Sequence, residues 1–325
     1  MRGKFGPVKA RLEQVLLCLL LAVFLGSAVL VNPAAAFRFV FLADSRLSHK
    51  KDSLQMDYED QRIKPEKQQH PTKGKGQRPH TKGLAAPAQE HPYNRQALKD
   101  LLHEAKKHHP DFVVFGGDMA RWGGKKNLED WLQFMRHELG GIKLYPVKGN
   151  HEIWGHKSIK ELNHEYHGVF GRSNYTFLHG QGASKTLFAV VDTHEDHNKR
   201  DRAHLSHGQM KWLSGHLQHP GAPHVIVIGH APVEPLHHRE FDAKSMGELG
   251  ALLKNPHHKV ALYLCGHDHY YNEKKLHGSQ VSQIICGNAG AEPSRDWCFL
   301  VVDVTDKGVH FTGYKGRHGK YHKAH

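Results

Sequence analysis

The chain has 325 residues, 45 Lys and Arg against 32 Asp and Glu, and a formal net charge of +13. This length suits one large domain or two modest ones. Only four cysteines are present, and one of them (Cys18) lies in an N-terminal apolar run, which excludes a disulfide-rich framework and leaves room for at most one bridge. A basic surface concentrates anions, so the charge favours phosphorylated or polyanionic partners.

The first 36 residues have the pattern of an export signal. Four basic residues precede an uncharged apolar run of seventeen residues (15–31), and three alanines at 34–36 offer small side chains to a signal peptidase. We predict that residues 1–36 are a signal peptide and that the remaining chain is exported to a secreted, periplasmic or extracellular location. The run is also near the lower length limit of a membrane-spanning helix. An uncleaved membrane anchor is therefore the alternative.

A basic segment interrupts the pattern after the first predicted strand. Residues 62–83 hold seven Lys or Arg and three prolines, without apolar periodicity. Such a composition buries too little apolar surface to offset the entropy of ordering. We therefore predict a disordered basic insert at residues 47–92 within a single domain that spans residues 37–325. A tether for anionic surfaces is the functional alternative.

Helices and strands alternate around this insert. Apolar residues at helical spacing predict helices at residues 94–111, 127–141, 206–218 and 244–255. Short apolar runs predict strands at residues 38–43, 112–118, 142–150, 186–194, 224–230, 259–267, 280–288, 298–305 and 308–316. This alternation, followed by a strand-rich end, predicts an α/β fold with mixed sheets.

Several of these strands end close to a side chain that can bind a metal. The side chains are Asp44, Asp118, Asn150, His230 and the pair His267 and His269. Ligands of α/β sheets bind outside the carboxyl ends of the strands. Glycine directly precedes four of these positions, at Gly117, Gly149, Gly229 and Gly266. A missing side chain lets backbones crowd around a cation. The pattern therefore predicts a metal site at the strand ends.

The same residues form an ordered set of motifs: FLAD, GGD, GNHE, GHAP and GHDH. The set resembles the calcineurin-like metallophosphoesterase family, from about residue 37 to the C-terminus apart from the insert. The resemblance implies a sandwich of two packed mixed β-sheets flanked by helices, of the α/β (α+β) class. It also implies a metal-dependent phosphoric ester hydrolase that acts on phosphate mono- or diesters.

The resemblance further implies two divalent metal ions. The first would be held by Asp44, Asp118 and His269, and the second by the bridging Asp118 with Asn150, His230 and His267. Carboxylate, amide and imidazole ligands suit Mn, Fe, Zn or Mg and do not distinguish among them. Two such ions about 3.5–4 Å apart clamp the attacking and leaving oxygens of an in-line displacement. His151 would contact the phosphate and protonate the leaving group, with a metal-bound hydroxide as the nucleophile.

The sequence departs from the family pattern at two positions. Arg46 stands where a histidine usually ligates the first metal, and a guanidinium has no lone pair to offer. Arg121 stands three positions after Asp118, where purple acid phosphatases carry a tyrosine. We expect Arg46 to act at the catalytic site by gripping phosphate oxygens as a fork, together with Arg121. In the alternative, Arg46 pairs with a structural carboxylate, and the first metal is weak or absent.

A non-catalytic protein is the competing interpretation. The 32 histidines, the basic insert and the replaced histidine ligand also fit a histidine-rich metal- or polyanion-binding protein with a degenerate centre. His151 favours an enzyme, because binding alone needs no leaving-group acid. An exported nuclease is a variant of the enzyme that fits the positive charge. We expect membrane contact only through an uncleaved N-terminal segment, and the sequence gives no indication of oligomeric state.

Overall fold

The computed structural model of the protein describes residues 36–47, 93–195, 202–235 and 242–324. The predicted signal peptide up to residue 35 and the predicted insert beyond Leu47 lie outside the described residues. No helix within these ranges is both long enough and apolar enough to cross a membrane.

The described residues form strands and helices in the predicted alternation. The strands are β1 (Phe37–Leu42), β2 (Phe112–Phe115), β3 (Lys143–Pro146), β4 (Tyr175–His179), β5 (Thr186–Val190), β6 (His224–Ile228), β7 (Val260–Cys265), β8 (Tyr271–Lys275), β9 (Ser282–Cys286), β10 (Trp297–Thr305), β11 (Gly308–Arg317) and β12 (Lys320–Lys323). The α-helices are α1 (Tyr93–Lys106), α2 (Lys125–Leu139), α3 (Ile159–Phe170), α4 (His207–Gln218) and α5 (Ala243–Lys254). A short 3₁₀ helix, His151–Ile153, lies directly after Asn150.

Two mixed six-stranded sheets organise these strands. The first has the order β12-β11-β10-β1-β2-β3, in which β1, β2 and β3 are parallel and β10 runs antiparallel to β1. The second has the order β4-β5-β6-β7-β9-β8, with parallel pairing from β5 to β9 and antiparallel edge strands. Parallel strands place their carboxyl ends at one edge of a sheet. Each sheet therefore contributes one such edge to the functional site.

The two sheets pack face to face, with helices on both outer surfaces. The inter-sheet core is aromatic at its centre, where Phe39 of β1 meets Phe188 of β5 edge to face at a centroid distance of 5.2 Å. A second core lies between the first sheet and helices α1, α2 and α3, and a third between the second sheet and helices α4 and α5. This arrangement confirms the predicted sandwich of two mixed sheets flanked by helices.

Four elements of this fold are absent from the sequence prediction. Helix α3 begins at a capping box in which Ser158 accepts from the Glu161 main chain and the Glu161 carboxylate accepts from the Ser158 main chain. That motif is visible in the sequence and could have revealed the helix. Two further elements are the edge strands β8 and β12, which are rich in charged residues and lack the alternation that identifies a strand. The edge strand β4 also lies in a stretch for which no element was predicted.

The described cysteines confirm that no disulfide framework is needed. Cys265, Cys286 and Cys298 are all buried and unbridged. Burial raises the pKa of the Cys265 and Cys286 thiols well above the usual value, so these groups stay neutral within the apolar core.

Candidate metal centre

Main-chain turns after the parallel strands of both sheets carry the predicted ligands. Asp44, Asp118 and Asn150 follow β1, β2 and β3, whereas His230 and His267 follow β6 and β7. Asp44, Asp118 and His267 adopt positive φ angles of 63°, 53° and 70°. Non-glycine residues occupy this region at a cost and tend to cluster at functional sites. The strained turns aim these side chains into the space between the two sheet edges.

One group of donors gathers around the Asn150 amide. Its Oδ1 atom lies 3.1 Å from His230 Nε2 and 3.1 Å from His267 Nδ1. His230 Nε2 also lies 3.2 Å from Asp118 Oδ1. His230 Nδ1 donates to the Gly116 carbonyl at 2.8 Å, so the ring presents Nε2 to the site. These atoms could hold one cation.

A second group shares Asp118 with the first. Ligand atoms of Asp44, Asp118 and His269 all lie within 4.8 Å of one another. Asp44 Oδ1 and His269 Nε2 are 3.5 Å apart, and both are buried atoms with no hydrogen-bond partner among the described residues. A buried carboxylate oxygen without a partner is costly unless a cation or proton binds there. The donor set therefore fits a metal ion.

Glycines let the backbone approach these donors, as the sequence pattern predicts. A Cβ atom at Gly149 would lie 2.4 Å from Asp118 Oδ1, and one at Gly266 would lie 2.4 Å from Asp44 Oδ2. At Gly117 a Cβ atom would lie 2.6 Å from His230 Nδ1. Atoms of real proteins do not approach so closely, so only glycine fits at these positions.

The buried charges of the centre need positive partners. Asp44, Asp118 and His230 are each 0% exposed. Burial opposes a charge on His230, but the Asp118 and Asp44 carboxylates outweigh it and raise the pKa of His230 to about 9. Burial likewise opposes a charge on Asp118, and the neighbouring His230, His151 and Arg46 nonetheless hold the pKa of Asp118 well below the usual value. A protonated His230 thus provides a positive charge beside the Asp44 and Asp118 carboxylates. A bound cation would provide this positive charge instead of the proton.

Glu152 anchors the loops that carry the ligands and is not itself one of the ligands. Its carboxylate accepts from main-chain N–H groups of the loops after β2 and β3, which belong to Asp118, Met119, Ala120 and Gly149. Burial and the nearby Asp118 carboxylate raise the pKa of Glu152 to about 7. The Asp268 carboxylate accepts from the Tyr270 hydroxyl, and Asp268 is not part of the donor group of Asp44, Asp118 and His269.

His151 lies beside the two donor groups. Its main-chain N–H donates to Asp118 Oδ1 at 2.9 Å, and its Nδ1 donates to the Arg121 carbonyl at 2.6 Å. Its ring stacks on Trp154 with a centroid distance of 4.5 Å. Burial lowers the pKa of His151 to about 3, so the resting imidazole is neutral. A dianionic phosphate beside the ring would raise that pKa, which the predicted role as an acid requires.

Arg46 is engaged with a carboxylate of the centre. Its Nε and Nη2 atoms donate to Asp118 Oδ2 at 3.2 and 3.1 Å. The side chain is 25% exposed, so part of it also faces solvent. The main chain of Arg121 binds this region twice, because its carbonyl accepts from His151 and its N–H donates to the Leu47 carbonyl.

Sequence reasoning missed one histidine of this site. His194 follows β5, and its ring centroid lies 5.5 Å from that of His230 and 5.8 Å from that of His267. The side chain is buried, and Nε2 has no hydrogen-bond partner among the described residues. The signal was present, since the run at residues 186–194 is another apolar strand that ends on a polar side chain.

The fold and the site together define a metal-dependent phosphoric ester hydrolase. The chain belongs to the calcineurin-like phosphoesterase family, whose sequence profile matches residues 49–271, about two thirds of the chain. Asp44 lies outside the matched range, and the fold brings it to the other donors. No curated protein matches the sequence.

Solved structures of the same fold include several phosphatases. A dimetal phosphatase from Danio rerio is 15% identical with a TM-score of 0.56, and the alignment covers 90% of this chain and 98% of that one. A purple acid phosphatase from yellow lupin is 13% identical with a TM-score of 0.56, covering 89% and 53%. GAP50, an anchor in the inner membrane complex of Plasmodium, is 13% identical with a TM-score of 0.53, covering 89% and 88%. At these identities the likeness shows the fold alone.

Proposed function

We propose that the protein is an exported phosphoesterase that hydrolyses phosphate mono- or diesters at a centre for two divalent cations. The observation that carries this proposal is the convergence of six side chains with oxygen and nitrogen donors at the joined strand ends. Asp44 Oδ1 and His269 Nε2 are both buried and have no hydrogen-bond partner within the part of the chain that the structure describes. Divalent cations supply Lewis acidity toward the phosphoryl group and activate water for attack.

The residues around the cation positions bind the ester and direct its proton transfer. Asp44, Asp118 and His269 would hold one cation, and Asp118, Asn150, His230 and His267 the other. His151 lies 3.8 Å from Asp118 Oδ2 through Nε2, and it protonates the leaving oxygen through this atom. Its Nδ1 bond to the Arg121 carbonyl and its stacking on Trp154 hold the ring in place. The exposed part of Arg46, together with Arg121, contacts the phosphate oxygens.

Hydrolysis of p-nitrophenyl phosphate and of bis(p-nitrophenyl) phosphate with added Mn²⁺ tests the proposal and separates monoesterase from diesterase activity. Asp118→Ala and Asn150→Ala should each lower turnover by at least about 100-fold, since transition-state charge loses its stabilisation. Asp130→Ala, which removes an aspartate partnered with Lys126 on the surface of α2, should leave turnover unchanged. Turnover that persists in both site variants, or in the presence of EDTA, would contradict the proposal.

A non-catalytic metal- or polyanion-binding protein is the second candidate. It is favoured by the pairing of Arg46 with Asp118, the carboxylate expected to bridge two metals. Absence of turnover on any ester, with polyanion binding that survives Asn150→Ala, would support this candidate. Binding to nucleic acid, which the basic composition allows, should weaken steeply with salt.

Export rests on the sequence of residues 1–36. N-terminal sequencing of the protein from its producing cells tests it, with Phe37 expected as the first residue. A chain that retains its apolar run would instead support the membrane-anchored alternative.

A further inference from the structure

Arg46 and a metal ion would use the same carboxylate, that of Asp118. Two guanidinium nitrogens of Arg46 donate to Asp118 Oδ2, and the Asp118 side chain is fully buried. The other oxygen, Oδ1, faces His230 Nε2 at 3.2 Å. Asp118 therefore offers one oxygen to the Asn150 side of the centre, while its second oxygen already has a cationic partner.

The charge of the centre changes accordingly. Arg46 is permanently protonated and offsets one of the two buried carboxylates, Asp44 and Asp118. A single divalent cation then leaves the cluster with a net positive charge, and a second one would enter beside a guanidinium. A like charge within about 4–6 Å shifts an ionic equilibrium by roughly one to three powers of ten.

The two donor groups also differ in the ligand atoms that they can offer to a cation. On one side, Asp118 Oδ1 is joined by the Asn150 amide and by two imidazoles, those of His230 and His267. On the other side, Asp44 Oδ1 and His269 Nε2 have no hydrogen-bond partner among the described residues, but a metal there must share the Asp118 carboxylate with Arg46. The first group is thus complete, whereas the second competes with an internal cation.

We propose that Arg46 is a resident cation that competes with the metal at Asp44 and His269, so that the centre binds one divalent ion tightly and a second one weakly. The inference deepens the proposed function, because it concerns the same site. It does not depend on turnover, because it is a statement about metal affinity.

Equilibrium dialysis of the full chain against Mn²⁺, with bound metal measured by atomic emission, tests the proposal. The wild type should bind one Mn²⁺ at least about 100-fold more tightly than a second. Arg46→Leu removes the charge without adding a ligand and should strengthen the weaker site about tenfold or more. Arg46→His also adds a ligand and should strengthen it further, with the electron paramagnetic resonance signature of a coupled Mn²⁺ pair.

Arg38→Leu is the matched control. Arg38 lies in β1, a few residues before Arg46, and pairs with an aspartate, Asp303, at 2.7 Å, outside the metal centre. This variant should bind Mn²⁺ as the wild type does. Circular dichroism establishes that each variant is folded before its affinities are compared.

Two results would overturn the proposal. One is a wild type that binds two Mn²⁺ with equal affinity. The other is a gain in Arg46→His without any gain in Arg46→Leu, because a missing ligand alone would then explain the weak site. Tight and weak Mn²⁺ sites in a protein without turnover would contradict only the proposed function. Turnover with two equally tight sites would contradict only the competition by Arg46.

Discussion

Lys148 and Asp192 form an ion pair inside the protein, with 2.5 Å between Nζ and Oδ2 and side chains only 1% and 3% exposed. Lys148 also donates to Asn163 Oδ1 at 2.7 Å, and Asp192 Oδ1 accepts from the main-chain N–H of His194. The pair joins the loop after β3, which carries Asn150, to the loop after β5. It therefore links the two sheets directly behind the candidate metal centre.

Lys148→Met should destabilise the fold by about 3–5 kcal/mol, because it leaves the Asp192 carboxylate buried without a counter-charge. Urea unfolding followed by circular dichroism measures the loss in the free energy of unfolding. Lys126→Met is the control, since Lys126 pairs with Asp130 on the exposed surface of α2 and such pairs contribute about 0.3–0.5 kcal/mol. An equal decrease in the free energy of unfolding in both variants would contradict a larger contribution from the buried pair.

Glu152→Ala should lower the free energy of unfolding by at least about 3 kcal/mol, because four buried main-chain N–H groups lose their acceptor. Glu152→Gln retains one acceptor oxygen and should lose less. Mn²⁺ affinity should fall in the same order, since the loops that carry Asp118 and Asn150 lose their common anchor. The same dialysis measurement of bound metal checks this order.

Glu161→Gln is the control for the change of charge. Glu161 caps helix α3 through the Ser158 main chain, and glutamine also serves in a capping box. Both the stability and the metal affinity should stay close to the wild-type values. An unchanged metal affinity in Glu152→Ala would contradict the anchoring role.

The pattern of strands and helices was sufficient to predict an α/β fold with mixed sheets and a metal site at its strand ends, whereas the sandwich was implied by the family resemblance. Each strand end carries its own signal, such as the apolar run that ends at Asp44 or at His230, and parallel strands bring such ends together without further information. The order of strands in each sheet was not predictable in this way. It depends on which faces pack across the sandwich, as Phe39 and Phe188 do.

The sequence offered two partners for Arg46, a substrate phosphate and a carboxylate, and could not decide between them for a different reason. The sequence shows that Arg46 cannot ligate a metal, but a flexible side chain can reach a substrate or a carboxylate equally well. The positive φ of 46° at Arg46 turns the chain so that its guanidinium meets Asp118. His194 was missed because no motif marks it, although its position after β5 places it beside His230.

Gly266→Ala should weaken Mn²⁺ binding about 10- to 100-fold, the usual effect of disturbing a residue that orients a ligand. The new Cβ would lie 2.4 Å from Asp44 Oδ2 and 2.6 Å from the Ala43 side chain, so the carboxylate must move. Gly168→Ala is the control, because a Cβ at this helical position meets nothing within 4 Å. It should stabilise α3 by about 0.5–1 kcal/mol without changing metal affinity. Wild-type affinity in Gly266→Ala would contradict the close approach.

His108 should make the stability depend on pH in the mildly acidic range. Its ring packs on Tyr314 at 4.7 Å and on Phe299 at 5.8 Å, and burial lowers its pKa below the usual 6.5. The charged groups that face it are Arg38 and His109, which lower the pKa further, and Glu104 and Asp303, which raise it. The net effect of these groups and of burial is a lowered pKa, so His108 tends to be neutral in the folded protein.

The unfolded chain therefore binds the proton near pH 6.5, whereas the folded chain binds it only at lower pH. The contribution of neutral His108 to the free energy of unfolding should be complete above pH 6.5. It should be lost progressively as the pH drops below that value. His108→Phe keeps a ring against Tyr314 and removes the titrating group, so the difference in stability between pH 7.5 and pH 5.5 should become smaller than in the wild type. His137→Phe, at a side chain that is 82% exposed, is the control for the substitution itself. A pH dependence that is the same in His108→Phe and in the wild type would show that other groups produce it.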